Sequence, residues 1–242
     1  MDRSLRNELK FVVSYQAREA LLARWSRHLI KDPHTNGHGT MPILSQYYDS
    51  PNLKFYEEKL DGIAFRNKVR VRCYGTHFGN GSATFLEIKQ RVGDGVRKIR
   101  QKMRDFRYRD LDPDNWKFDD PAAEDAFRFL HFRYRLRRSA QVWYLREAYL
   151  GTVESQVRVT FDHTLTALYP GELLTRDLIS APSRRCLGDT FFVLEVKTTN
   201  GIPHWVTEGA IATELRQVPV PKYVLAVEKL QLTETAPSGV YP

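Results

Sequence analysis

The sequence predicts an α+β domain: one antiparallel sheet with a strongly basic face, and amphipathic helices packed against its apolar face. Three observations predict it. Segments of alternating polarity follow one another along most of the chain, set apart by turn residues, as half-buried strands do. In most of them the polar side is weighted towards Arg and Lys. No fixed-period repeat, low-complexity tract or linker divides the 242 residues, so 1–232 read as one domain with a loose tail over 233–242.

The first strand is RNELKFVV, from Arg6. Ser14 then offers a side-chain cap for a helix from about Gln16 to Ile30, with Leu21, Leu22, Trp25 and Leu29 as its apolar face. Pro, Gly and Asn make Lys31 to Thr40 a loop. ILSQYYDS is a strand ending in a turn at Ser50-Pro51, and NLKFYEEKL makes a helical turn or two. Three strands follow: FRNKVRVRCYG, ATFLEIKQ and VRKIRQKM. The turn-rich THFGNGS separates the first two, and RVGDG the last two, with Asp94-Gly95 as a hairpin signal. DLDPDNW breaks the pattern before PAAEDAFRFLHFRY, a helix with Pro121 in its first turn. QVWYLREAYLG and SQVRVTFDHTL flank a hairpin at Gly151. FFVLEVKTT is the last long strand, HWVTEGAIATELRQ a helix and KYVLAVEKL a short final element.

Side chains of a strand alternate between its two faces. Along Phe65 to Gly75 this places Arg66, Lys68, Arg70 and Arg72 on one side, against Val69, Val71 and Cys73. The same rule groups Glu87 with Lys89, and Lys98 with Arg100 and Lys102. It also groups Arg158 with Thr160 and Asp162, Glu195 with Lys197, and Arg6 with Glu8 and Lys10. A solvated sheet face gives such alternation too, but ordinarily with a mixture of Thr, Ser, Gln and both charges. If the sheet closes on itself, the charged faces converge on a lumen and the apolar faces pack outward on helices. Converging cations repel one another. The arrangement therefore calls for a polyanion, and phosphate, which Arg binds bidentately, meets that demand. Arg66 and Lys68, nearer the strand's start, would guide the anion to the mouth.

Composition agrees. A chain with 42% hydrophobic and 12% aromatic residues builds a core, which excludes a chain disordered throughout. The excess of 37 Lys+Arg over 29 Asp+Glu favours an anionic partner without choosing one. Two distant cysteines, Cys73 and Cys186, form no metal-binding CxxC and no disulfide framework. No run approaches the ~18 apolar residues of a membrane span, and MDRSLRNELKF lacks a signal-peptide core. The expectation is a soluble cytoplasmic protein.

The ordered motifs are Arg6-x-Glu8-x-Lys10, YYDSPNLKFYEEKLDG, Arg70-x-Arg72 ending in Tyr74-Gly75, and Glu87-x-Lys89. VRKIR, Arg146 in YLREAY, Arg158-x-Thr160-x-Asp162 and Glu195-x-Lys197 complete them. Together, from RNELKF to KYVLAVE, they resemble the VTC domains of the triphosphate tunnel metalloenzyme (CYTH-like) superfamily. The resemblance implies an eight-stranded closed antiparallel β-barrel, a triphosphate tunnel with helices on its outside. It also implies metal-dependent phosphoryl transfer, namely synthesis of inorganic polyphosphate from ATP. Hydrolysis of tripolyphosphate or a nucleoside triphosphate is the alternative.

Carried over by position, the resemblance makes Lys10, Arg70, Arg72, Lys89, Lys98, Arg100, Arg146, Arg158, Lys197 and Lys222 phosphate contacts. It gives catalysis to Lys10, Arg70, Arg72, Lys89 and Glu195. It assigns Mn2+ or Mg2+ to Glu195 with Glu8 and Glu87, an all-oxygen site such ions suit. The implied partners are ATP or another triphosphate and inorganic polyphosphate, with no sequence-specific nucleic acid. A membrane-protein partner and the oligomeric state stay open. The chain departs from the family twice: Arg6 stands where a glutamate often does, and Pro219 replaces the first of two C-terminal lysines, Lys222 matching the second.

HFRYRLRR, His131 to Arg138, invites a rival reading as a non-enzymatic RNA- or polyphosphate-binding module. Glu8, Glu87 and Glu195 on the basic faces speak against it, since without a metal they would repel a bound polyanion. A solvated helix end explains the motif more simply. His28, His34 and His38 read as a surface loop, Cys73 as buried packing, and THFGNGS as a turn lacking a P-loop's Lys-Ser/Thr ending.

Overall fold

The computed structural model describes residues 6–35, 39–79, 81–93, 95–153 and 156–232. Asp94 of the hairpin signal, His38 and the 233–242 tail lie outside the described residues. The strands are β1 (Arg6–Ser14), β2 (Leu29–Lys31), β3 (Met41–Asp49), β4 (Phe65–Tyr74) and β5 (Ala83–Val92), then β6 (Gly95–Lys102), β7 (Arg137–Gly151), β8 (Arg158–Leu168) and β9 (Phe191–Thr199). The helices are α1 (Tyr15–Trp25), α2 (Lys54–Leu60), α3 (Pro121–Tyr134), α4 (Arg176–Ser180), α5 (His204–Ala212) and α6 (Lys222–Lys229). Eight strands form one antiparallel path, β1-β9-β8-β7-β3-β4-β5-β6, and β2 adds to β7 beside it.

Alternation decides which face is buried. On the outer side of β1, β8 and β9, Phe11, Val159, Phe161, Leu194 and Val196 pack against Leu21 and Trp25 of α1 and Trp205 of α5. On the outer side of β4 and β5, Val69, Val71, Cys73, Leu86 and Ile88 pack with Phe127 and Leu130 of α3. The Ser14 hydroxyl accepts from the Ala17 N–H at 3.2 Å and so caps α1. Ser14→Ala should cost about 1 kcal/mol, the usual worth of such a cap. Urea unfolding of the variant measures it.

Three expectations need correction. The first helix stops at Trp25 rather than Ile30, because Leu29–Lys31 finds a better backbone partner. β3 pairs with β7 only as far as Arg146, which leaves the edge beyond it open to β2 at Tyr149–Gly151. Leu29 still reaches the core that the helical spacing pointed to, but from a strand.

Secondly, one helix lies on the inner face of the sheet. In α6, Tyr223, Val224, Leu225, Ala226 and Val227 are consecutive and all buried, and a helix apolar all round must be enclosed. It packs on Ile43, Val142, Tyr144 and Val193 of the concave side. The Tyr223 hydroxyl anchors it there, donating to Asp49 Oδ2 at 2.7 Å.

Thirdly, hydrogen bonds do not close the barrel among the described residues: β1 and β6 end the path and do not pair. The Val218 N–H, in the segment leading to α6, donates to the Lys10 carbonyl at 2.9 Å and occupies the β1 edge. β6 also brings Arg97, Lys98, Arg100 and Lys102, which would be pressed against the Lys10 side of β1.

Candidate functional site

Strand register gathers the basic residues on the concave side. Across β4, β5 and β6, Lys68 stands opposite Lys89 and Lys89 opposite Lys98. One step on, Arg70 stands opposite Glu87 and Glu87 opposite Arg100. At the other end of the sheet, Thr160 stands opposite Glu195 and Glu195 opposite Lys10, while Arg146 faces Asp162. A cavity of about 240 Å³ is bordered by Lys10 of β1, Lys68, Lys89, Val96 of β6 and Tyr223 of α6. Both ends of the sheet thus border one space: the sheet wraps round without closing.

Three ionic clusters line this face. In the first, Arg70 donates from Nε and Nη2 to Glu87 Oε2 at 2.7 and 2.5 Å. Arg72 and Arg100 approach the same carboxylate at 3.8 and 3.5 Å. Burial pushes Glu87 up, but Arg70 and Arg72 outweigh it and hold its pKa at about 2. Arg70 also donates to the Tyr47 hydroxyl at 3.2 Å, Arg72 to Ser45 Oγ at 3.4 Å, and the Arg100 guanidinium lies 3.8 Å from the Phe85 ring centroid. The guanidinium positions are therefore fixed from β3 and β5.

In the second cluster Asp162, fully buried, accepts Arg146 Nε and Nη2 at 2.6 and 2.7 Å and Lys222 Nζ at 2.8 Å. Burial would raise its pKa; Arg146 and Lys222 bring it to about 2. In the third, Glu195 accepts Lys197 at 2.8 Å and Lys10 at 3.3 Å, and Lys10 also reaches Glu8 at 2.8 Å. Against its burial, Lys222, Lys197, Lys10 and Arg146 keep Glu195 ionised, well below the ordinary carboxylate range.

The remaining predicted residues are placed differently. Lys89 and Lys98 are exposed on the concave strands. Where Lys89 borders the cavity its ammonium is partly desolvated, and this, with Lys10, Lys197 and Lys98 nearby, lowers its pKa despite the pull of Glu8. Arg158 shares the register of this face, yet its guanidinium turns to Asp32 Oδ2 at 3.1 Å, beyond β2. Glu87 stands among arginines rather than beside Glu195 and Glu8. Sequence reasoning left out Tyr47, gave Lys68 only a guiding place at the mouth, and placed Asp162 in a motif without its partners. Period two along ILSQYYDS already puts Ser45 and Tyr47 on one face, so Tyr47 had a signal; the Asp162–Lys222 contact had none.

The donors suit a divalent cation bound together with phosphate. No group of three His, Cys, Asp or Glu side chains able to hold a metal exists among the described residues. Glu195 and Glu8 do share Lys10, and the Thr160 hydroxyl, opposite Glu195, is buried with no hydrogen-bond partner among the described residues. Two carboxylates and a hydroxyl form a partial all-oxygen set, which phosphate oxygens and water would complete. HFRYRLRR runs from the last turn of α3 into β7, with Arg133, Arg135, Arg137 and Arg138 in solvent.

A family model described as VTC domain matches residues 5–231. Among solved structures, a Bacillus halodurans protein described provisionally as an adenylate cyclase superposes with a TM-score of 0.54 at 15% identity, over 91% of this chain and 96% of that one. It shows a shared fold. A Mimivirus capping enzyme triphosphatase aligns at TM-score 0.38 and 10% identity over 88% of each chain, too distant to carry an argument. No curated protein matches the chain.

Proposed function

Because the chain belongs to the VTC-domain family, we propose that it transfers phosphoryl groups from a triphosphate along its basic concave face, building inorganic polyphosphate from ATP. One observation carries this reading: Lys68, Lys89 and Lys98 stand abreast on three strands, with no carboxylate between them. Only a multiply charged anion lets all three carry their charge together. Arg70 and Arg72, held by Glu87, Tyr47 and Ser45, present fixed N–H groups to phosphate oxygens. Lys10, Lys89, Lys98, Arg100 and Lys197 add charge around them, and phosphoryl transfer asks for little beyond such positioning and electrostatics. Arg146 and Lys222, already paired with Asp162, extend the positive field towards Glu195.

Glu195 and Glu8, with Thr160, would hold Mn2+ or Mg2+, which when bound supplies neutralising charge to phosphate oxygens. The carboxylates favour transfer to a phosphate chain over transfer to water. Glu87, Glu195 and Asp162 are all kept ionised by cations and so are weak bases for a water proton. A chain-terminal phosphate oxygen is already anionic and needs no base. Among the described residues no helix is long and apolar enough to cross a membrane.

The test is incubation with ATP and Mn2+, with products resolved on a gel. A polyphosphate ladder is expected. Free phosphate alone would make the protein a hydrolase, and binding without turnover would make it a binding module. Glu195→Gln should abolish metal-dependent turnover while tripolyphosphate still binds; full turnover in that variant would remove Glu195 from the mechanism.

A further inference from the structure

Lys68 occupies a different position from its neighbours. Its ammonium lies 5.2 Å from the Tyr47 ring centroid, inside the cavity bordered by Lys10 and Lys89. β4 itself adds Arg66, Arg70 and Arg72 around it. β5 and β6 contribute Lys89 and Lys98, α2 contributes Lys59, and α6 contributes Lys222 and Tyr223. Lys10, Arg70, Arg146 and Lys222 each have a carboxylate partner; among the described residues Lys68 has none. The Tyr47 ring offers only its π face, and the Tyr47 hydroxyl is engaged by Arg70. Burial comes first, and Arg70, Arg72, Lys10 and Lys222 add to it, in holding Lys68 well below the ordinary lysine value.

We propose that Lys68 is a further phosphate-binding residue whose positive charge is completed by the ligand. A proton from solvent enters the Nζ lone pair as a phosphate oxygen comes to lie beside it and accepts an N–H. No other bond forms or breaks. The inference rests on the triphosphate-binding reading and says how that site recognises its ligand: Lys68 can join the crowded cations as a charged group only as the anion arrives, so proton and phosphate bind together. Lys68 thus does more than guide an anion to the mouth.

The experiment is calorimetric titration of the whole protein with tripolyphosphate near pH 8, in two buffers of different ionisation enthalpy. The wild type should take up close to one proton more per ligand than Lys68→Met. Its affinity should fall by about tenfold for each pH unit over the range in which that uptake is complete. Lys68→Arg should bind without the extra uptake, because a guanidinium is already charged. If Lys68→Met does not fold, the comparison with Lys68→Arg decides alone. Binding with equal proton uptake in wild type and variants overturns the proposal and leaves the triphosphate reading standing. Absence of binding in the wild type overturns both.

Discussion

Asp162→Ala should lower folding stability by about 3–5 kcal/mol, the cost of leaving buried charges without their partner. Arg146 and Lys222 share that carboxylate and are themselves only 7% and 8% exposed. Lys222 is also the first residue of α6, where the positive end of the helix dipole disfavours a cation, so Asp162 offsets that cost too. Urea unfolding at neutral pH measures the loss; a change under 1 kcal/mol would show that the triad does not hold the inner helix.

The pH dependence has a definite sign. Asp162 has a folded pKa of about 2, below its usual value near 3.8, so the stability it confers is fully present above about pH 4. That stability is lost as the pH falls from there towards 2. The gap between wild type and Asp162→Ala should therefore narrow over that interval. Glu87, also held at about 2, adds an acid limb of the same sign that the variant retains.

Arg70→Ala should weaken tripolyphosphate binding by about a hundredfold, with little change in unfolding temperature. Hydrogen bonds to charged groups contribute roughly 1.5–3 kcal/mol, and about 2.7 kcal/mol corresponds to a factor of one hundred. The fold tolerates the change because Glu87 keeps Arg72 and Arg100 as partners. Calorimetry and a thermal melt separate the two effects. Unchanged affinity would take the β4 arginines out of the site.

Where a residue's surroundings follow from its own strand, the sequence was enough. Arg70, Arg72, Glu87 and Lys89 were legible because period two assigns each to a face, and adjacent strands of one hairpin carry matching faces. α3 was legible to the residue, from Pro121 at its first position, while the Asp120 cap emerged only in the structure. Leu29 shows the limit: helical spacing and a short strand both bury it, and the choice depended on the open edge of a strand about 120 residues away. Asp162 shows it again, for Lys222 is brought to it only by the path of α6.

The sequence by itself determined an antiparallel sheet with one basic and one apolar face, because alternation is a local property of extended backbone. Tertiary structure decided what occupies the open edge of that basic face and what enters its concavity. The segment before α6 takes the β1 edge, α6 enters the concavity, and Lys68 is left among cations with no carboxylate partner among the described residues. These outcomes depend on which distant edge or side chain satisfies a buried group, and no local pattern encodes such competition.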